Sequence, residues 1–544
     1  MPTLTIDGRE VTVEPGKTIL QAAEVLGIEI PTFCYHPGLS IAANCRMCLV
    51  DITKDPARPM KLVPACHAQV GDGMTVSTQS DKVKRTRQSV LEFILLNHPV
   101  DCPICDQAGE CVLQDHYFKY SAQPSRLFHR KQHKAKAKVL GPDIILDAER
   151  CILCTRCVRF CDEVAKTPQL EVINRGEHSE ITTFPGTQLD NPYSGNVVDI
   201  CPVGALTSRD FRFRTRVWML QATRGVCPEC SRGCTTRVDS FENVPRRLKP
   251  LHNPKVNDFW ICDEGRNSLG QYLEGRMEGP TVTVPGGRRS VGTVMQAVEQ
   301  AAQALSGVQR SEIVVVVSPW FTNEDAYLVG KLLQGPLAGA KILVGGRSAG
   351  EGDDILRQAD KNPNRAGLTC IFQALGLKTA PLADATLANV QVALVFGDNH
   401  DVDAGFFARL SAVPTRIMVG AFKTKFWDTA TTFMPARTHL EKDGSFTNFE
   451  GVVQRIVRAS QAASTAKSEG WFAMKIAQHL GLGLDFATPR AIFTALAAEV
   501  SDFAGMRLAD LGDFGLRFGE VELPVAEIAA APAMTTDSTH AEAP

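Results

Sequence analysis

The sequence predicts a multidomain α+β chain. It has a small N-terminal sheet-and-helix unit of β-grasp type, a cysteine-rich middle, and a larger α/β unit at the C-terminal end. Three observations carry this expectation. Residues 3–13 alternate apolar and polar about Asp7-Gly8, the pattern of a hairpin. Sixteen of the seventeen cysteines lie before residue 263. After Cys262, apolar runs at 313–317, 341–344, 392–396 and 416–419 alternate with helix-like stretches at 293–305 and 326–334, as a parallel sheet requires.

Taken in order, Thr18 and Gln21 form a capping box that opens a short helix, and Gly27 closes it. The run from Thr32 to Cys48 reads as loop. Strand, turn, strand, helix and cysteine loop together describe a ferredoxin-like β-grasp domain over 1–80. Residues 81–97 read as a helix with Val83, Val90, Leu91, Ile94 and Leu95 on one face, running into His98-Pro99. Residues 112–150 are polar and partly basic: Arg126, Arg130, Lys131, Lys134, Lys136 and Lys138 fall in thirteen residues. A solvated linker or a docking surface for an acidic partner is favoured there over a nucleic-acid arm. The expected divisions are 1–80, 81–140, 141–222, 223–523 and a disordered Ala/Pro/Thr/Ser-rich tail over 524–544.

Bulk composition excludes little. With 44% apolar and 22% charged residues and a net charge of −2, the chain reads as soluble and globular, without a nucleic-acid or membrane partner. No stretch approaches the roughly 20 apolar residues of a transmembrane helix. The start, Met1 to Ile6, lacks the basic and apolar regions of a secretory leader, so the expectation is a reducing compartment. There, paired cysteines favour metal over disulfide.

The cysteines form four sets. The first is Cys34-x10-Cys45-x2-Cys48-x17-Cys66, three in one loop and one distant, in the style of a [2Fe–2S] ferredoxin. The second is His98-x3-Cys102-x2-Cys105-x5-Cys111, where the imidazole supplies the ligand that the triplet lacks; a Cys3His zinc site is the alternative. The third opens with Cys151-x2-Cys154-x2-Cys157, a strong [4Fe–4S] signal. Its fourth ligand is Cys201, because the Cys-Pro pair typical of such runs is Cys201-Pro202, whereas Cys161 is followed by Asp162. The fourth is Cys227-x2-Cys230-x3-Cys234-x27-Cys262, three close and one remote, which fits a cubane better than zinc. Cys161 and Cys370 are left over as core thiols. No G-x-G-x-x-G or P-loop pattern is present, and the glycines at 345, 346, 350 and 352 read as loop.

The segment Leu91-Glu-Phe-Ile-Leu-Leu-Asn-His98-Pro-Val-Asp-Cys102-Pro-Ile-Cys105-Asp-Gln-Ala-Gly-Glu-Cys111 closely resembles the large iron–sulfur subunit of respiratory complex I. That family comprises the G subunit of bacterial NADH-quinone oxidoreductase and the mitochondrial 75 kDa subunit. Arg150 to Arg159 and Cys201-Pro-Val-Gly-Ala-Leu206 resemble it too. The fourth set with Trp260 to Arg266, and Thr438 to Asn448, are similar to the molybdopterin oxidoreductase superfamily. The resemblance implies [4Fe–4S] ferredoxin-like domains after the first, then an α/β molybdopterin-oxidoreductase-like domain without its cofactor. It implies one [2Fe–2S] and three [4Fe–4S] clusters, no molybdenum or pterin, and no catalytic residue. The implied activity is electron relay within a proton-translocating NADH:quinone oxidoreductase. The implied partners are a flavin- and NADH-binding subunit, a [2Fe–2S] subunit and quinone-proximal iron–sulfur subunits. The implied place is peripheral, on the cytoplasmic face of a bacterial inner membrane. The alternatives are the matching subunit of a soluble NAD-linked hydrogenase or formate dehydrogenase, and a zinc-stabilised scaffold.

Overall fold

At the first turn, Asp7 (φ 46°) and Gly8 (φ 82°) are both left-handed, so the strands Thr3–Ile6 and Arg9–Thr12 fold back antiparallel. Thr3–Ile6 also pairs in parallel with Met74–Ser77, which borders Leu49–Thr53 and then Lys61–Pro64. Helix Ile19–Val25, opened by the Thr18/Gln21 capping box, lays Ile19, Leu20, Ala22 and Ala23 against Leu4, Ile6, Val50 and Val76. This is the expected β-grasp unit. The computed structural model describes residues 1–520 apart from 56, 122, 285, 383 and 384. The tail expected over 524–544 lies outside the described residues.

Helix Asp81–Leu95 is capped by Ser80 and buries Val83, Arg87 and Leu91. It stops short of His98, because a residue before proline is disfavoured in the helical region. The segment 112–150 departs from the linker expectation. It holds a helix, Val112–Tyr120, and the strands Lys138–Val139 and Ile144–Leu146. Its basic residues are largely engaged within the chain. Lys131 donates to the carbonyls of Leu95 (2.8 Å) and His98 (2.6 Å), Lys136 pairs with Glu149 at 2.6 Å, and Arg126 pairs with Glu92.

The third segment builds a small antiparallel sheet, with Ile144–Leu146 between Lys138–Val139 and Leu206–Ser208. The fourth set follows on the sheet Gln221–Val226, Thr235–Phe241 and Val244–Pro250. One apolar core runs through all of these units, including Phe33, Leu91, Phe160, Val197 and Trp260.

The C-terminal unit is an eight-stranded sheet. Its parallel strands run spatially Thr379–Pro381, Lys341–Val344, Ile313–Val317, Val392–Phe396, Thr415–Gly420, Thr432–Pro435. In chain order this is 3-2-1-4-5-6, a doubly wound sheet whose order reverses between 313–317 and 392–396. Both faces are covered: Val315, Val317, Leu394 and Val419 enter one core, Val314, Val316, Val395 and Met418 the other. That explains why these strands read as unbroken apolar runs. Lys442, buried, pairs with Asp325 (2.9 Å) and Glu469 (2.6 Å). Cys370 differs from its expected core place: it is half-buried and donates to Asp502 at 2.9 Å.

Burial raises the Glu324 carboxyl to about 8 and the Asp398 carboxyl to about 7, and it lowers His400 and His439 to about 4 and about 3. Below pH 6.5 the unfolded chain takes up protons that the buried imidazoles refuse, so stability falls as pH drops. Above 4.5 the unfolded chain releases a proton that Glu324 keeps, so stability falls as pH rises toward 8. Between pH 6.5 and 8 Glu324 keeps a proton that the unfolded chain has released. Over that interval Glu324→Gln is expected to remove a loss on the order of 1–2 kcal/mol. Denaturant titrations at the two pH values check this, and equal pH slopes for the two proteins would refute it.

Candidate metal centres

In the first set the four cysteines come as two pairs. Cys48 Sγ stands 3.4 Å from Cys66 Sγ, and Cys34 and Cys45 share a hydrogen bond. Within each pair, that hydrogen bond makes one thiol acidic at the other's expense. Cys34 falls to about 5 and Cys48 also falls, while Cys45 and Cys66 rise. Two ligands to each of two irons is what a [2Fe–2S] core asks of its protein. The loop curls through left-handed Ala43 (φ 50°) and Arg46 (φ 60°), a strain on the order of 1–3 kcal/mol each.

In the second set His98, Cys102 and Cys111 line one cavity of about 430 Å³. The Nδ1 atom of His98 is buried with no hydrogen-bond partner among the described residues. Burial lowers the imidazole to about 4, so it is neutral with a free lone pair at physiological pH. An orphaned buried nitrogen that shares a cavity with two thiols fits a metal ligand. Cys105 lies against Gly204, where a Cβ would come within 2.3 Å of its Sγ.

In the third set Cys151, Cys154, Cys157 and Cys201 line one small cavity together with Leu146, Val203 and Leu206. Leu153 (φ 55°) and Thr155 (φ 60°) turn the loop around it, and the Leu153 amide donates to Cys151 Sγ at 3.4 Å. Burial pushes Cys151 up to about 12 and Cys154 to about 11, and Cys157 well up. Cys161 does not line this cavity; it is fully buried in apolar surroundings, raised to about 12.

In the fourth set the Cys227 amide donates to the Cys234 carbonyl at 2.8 Å, and Cys262 caps the turn Asp263–Arg266. The Gly265 amide reaches Cys262 Sγ at 3.4 Å, and a Cβ on Gly265 would meet Cys227 Sγ at 2.7 Å. Burial raises Cys227, Cys234 and Cys262. Among the described residues, no group of three or more His, Cys, Asp or Glu side chains is arranged to hold one metal ion.

The sites are fastened to one another through residues within a few positions of their cysteines. Arg150 forks onto Asp101 at 3.0 and 2.7 Å, each residue preceding the first cysteine of its set. Asn196 exchanges hydrogen bonds with Ile261, at 2.7 Å to its carbonyl and 3.1 Å from its amide. Arg266 pairs with Asp199. Sequence reasoning missed these residues and also Gly204 and Gly265. The available signal was charged and glycine residues packed between the cysteines of buried loops.

Three family models match parts of the chain. Residues 1–81 match the 2Fe-2S iron-sulfur cluster binding domain. Residues 87–126 match the NADH-ubiquinone oxidoreductase-G iron-sulfur binding region, and residues 141–207 the ferredoxin-like domain of NADH-quinone oxidoreductase subunit 3. The NADH-quinone oxidoreductase G subunit of Rickettsia conorii is 39% identical over 334 residues, 61% of this chain and 49% of that protein. Over about three fifths of its length the chain is thus similar to G subunits of NADH-quinone oxidoreductase. The 75 kDa subunit of NADH-ubiquinone oxidoreductase from Reclinomonas americana is 41% identical over 63% of this chain and 49% of its own. The mitochondrial NADH dehydrogenase [ubiquinone] iron-sulfur protein 1 of Solanum tuberosum is 35% identical over 71% and 52%. The chain thus spans about half the length of these relatives. A chain of the crystal structure of NAD+-reducing [NiFe]-hydrogenase in the H2-reduced state aligns with 29% identity over 40% of this chain and 91% of its own, at a TM-score of 0.36. The first three ligand sets fall inside the family matches, and the fourth falls outside them.

The two glycines give a site-by-site check. Gly204→Ala is expected to cost about four irons per chain at the second site, and Gly265→Ala about four at the fourth, the other sites staying loaded. Iron analysis with low-temperature EPR reads both. His98→Cys should keep the iron and alter one EPR signal of the reduced protein; an unchanged spectrum would exclude His98 as a ligand.

Proposed function

We propose that this chain is an electron-transfer subunit of the peripheral arm of a proton-translocating NADH:quinone oxidoreductase. The observation that carries the reading is that cysteines of all four sulfur-rich sets pack in or against one apolar core, and that the first, second and fourth sets are each hydrogen-bonded to the third segment at or beside one of their cysteines. Cys34, Cys45, Cys48 and Cys66 hold a [2Fe–2S] cluster. His98 with Cys102, Cys105 and Cys111, then Cys151, Cys154, Cys157 and Cys201, then Cys227, Cys230, Cys234 and Cys262, hold [4Fe–4S] clusters. Bound clusters supply one-electron redox chemistry.

The chain's own residues do the rest. Apolar packing excludes water from the sulfurs. Gly204 and Gly265 leave room where a side chain would collide with them. The Leu153 and Gly265 amides donate to sulfur, which favours the more negative, reduced state. A neutral His98 in place of a thiolate lowers the negative charge of its site.

The C-terminal unit serves as a scaffold without molybdenum or pterin. In a doubly wound sheet the ligand position lies outside the carboxyl ends of the strands, where the order reverses. Here the chain's own side chains occupy amides at that position. His400 Nδ1 accepts from Gly346 at 3.0 Å, Asp401 from Ser348 at 2.7 Å, and Asp398 from Ala421 and Phe422. The partners are the flavin-bearing subunit, a [2Fe–2S] subunit and quinone-proximal iron–sulfur subunits. Among the described residues no helix is long and apolar enough to cross a membrane, and attachment to the cytoplasmic face comes through those partners.

Metal analysis of the anaerobically purified chain is expected to find about 14 irons per chain and no molybdenum. Zinc in place of iron would establish the scaffold reading, and stoichiometric molybdenum or tungsten the formate dehydrogenase one.

A further inference from the structure

Two arginines inside the third loop reach across to the first. Arg159 Nη2 donates to the carbonyl of Cys34 at 2.6 Å and reaches that of Cys154 at 3.4 Å. Its Nη1 donates to the Ser40 carbonyl, and its Nε to Thr155 Oγ1 at 3.4 Å. Arg156 Nη2 donates to the Tyr35 carbonyl and its Nη1 to the Ile200 carbonyl at 3.1 Å. Each guanidinium therefore spans the two loops. Each ends on a cysteine of the sets or on the residue beside one, since Tyr35 follows Cys34 and Ile200 precedes Cys201.

Among the described residues neither arginine pairs with a carboxylate; their acceptors are carbonyls and one hydroxyl. Arg156 also has a buried Nε with no hydrogen-bond partner among the described residues. Two half-buried cations without a carboxylate counter-charge are costly unless something anionic stands near them. Thiolate-ligated iron–sulfur clusters carry net negative charge, and reduction adds one more.

We propose that Arg159, with Arg156 beside it, is the joint between the first and third sites. It holds both ligand loops at one separation and places positive charge between two anionic clusters, which makes both easier to reduce. The proposal rests on the reading that these two sets carry iron–sulfur clusters. Arginine suits the task because its planar fork donates in two directions at once, which a lysine ammonium on its flexible stem does less rigidly. An electron exchanged between the sites oxidises one and reduces the other with no bond made or broken, so charge and separation are the terms that the protein can set.

The test uses the full chain, loaded anaerobically with iron and sulfide and titrated by EPR-monitored potentiometry. Arg159→Gln is expected to lower the reduction equilibrium constant of the first and third sites at least tenfold, about 59 mV each toward the negative. The second and fourth sites should stay where they are. Arg159→Lys keeps the charge and should recover about half of that shift or more. Arg156→Gln serves as the second variant, expected to move the same two sites in the same direction. Fully loaded variants with unmoved potentials would overturn the proposal while leaving the cluster reading intact. Loss of iron from these two sites in all three variants would overturn it in favour of a purely structural contact. A wild-type chain that takes up no iron would overturn the cluster reading itself.

Discussion

The constraint on which the N-terminal half depends is the position of the loop from Arg150 to Arg159. Arg150 fixes it to the second site through Asp101, Arg156 and Arg159 fix it to the first, and the turn before its distant cysteine fixes it to the fourth through Asn196 and Ile261. Hydrogen bonds to charged groups contribute on the order of 1.5–3 kcal/mol each, more than neutral ones. Their placement matters more than their sum. Each contact has at least one end at or beside a cysteine, so a displacement of one site would be felt at the next. Apolar contacts such as Phe160 on Trp260, with ring centroids 4.9 Å apart, fill the space between without fixing orientation.

A second consequence follows from burial. Most of these thiols sit where a thiolate is poorly solvated, so burial holds them protonated. In the third and fourth sets amides offset part of that cost, those of Leu153, Arg156, Val203, Ala205, Leu206 and Gly265 among them. A group of such thiols is at ease only when iron takes the proton's place, which makes metal uptake and consolidation of these loops one process. The left-handed Ala43, Arg46, Leu153 and Thr155 point the same way, because strain of this kind persists only when the surroundings over-determine it. The loops are built around a filled centre.

Much of the architecture was legible from local signals. Asp7-Gly8, the Thr18/Gln21 box and the unbroken Val-rich strands each prescribe their own backbone, and the structure follows them. What could not be read depends on distant partners. The basic run at 126–138 looks solvated because its acceptors, the carbonyls of Leu95 and His98 and the carboxylate of Glu149, lie elsewhere in the sequence. The helix Val112–Tyr120 buries only Leu113 and His116, too narrow an apolar face to stand out in a polar stretch. Cysteine spacing named the ligand candidates, but not the glycines that make room for them.

The C-terminal sheet shows the same dependence in reverse. Its strand order is that of a dinucleotide-binding fold, yet no glycine fingerprint marks it, and the geometry at the point of reversal gives a reason. A bound phosphate needs free amides. Here His400 is wedged so closely over Gly345 that a Cβ there would meet its Nδ1 at 2.1 Å, while its Nε2 donates to the Phe396 carbonyl at 2.8 Å. Gly397, left-handed at φ 90°, lets the chain turn tightly over Ser318. A phosphate binding to these amides would have to displace a neutral imidazole that satisfies both of its nitrogens, and two carboxylates already paired with amides. Each displacement costs on the order of 1–3 kcal/mol in unmade hydrogen bonds. The crevice that in other doubly wound sheets is a binding site is here a cavity of about 490 Å³ whose bordering amides are already taken by His400, Asp401 and Asp398.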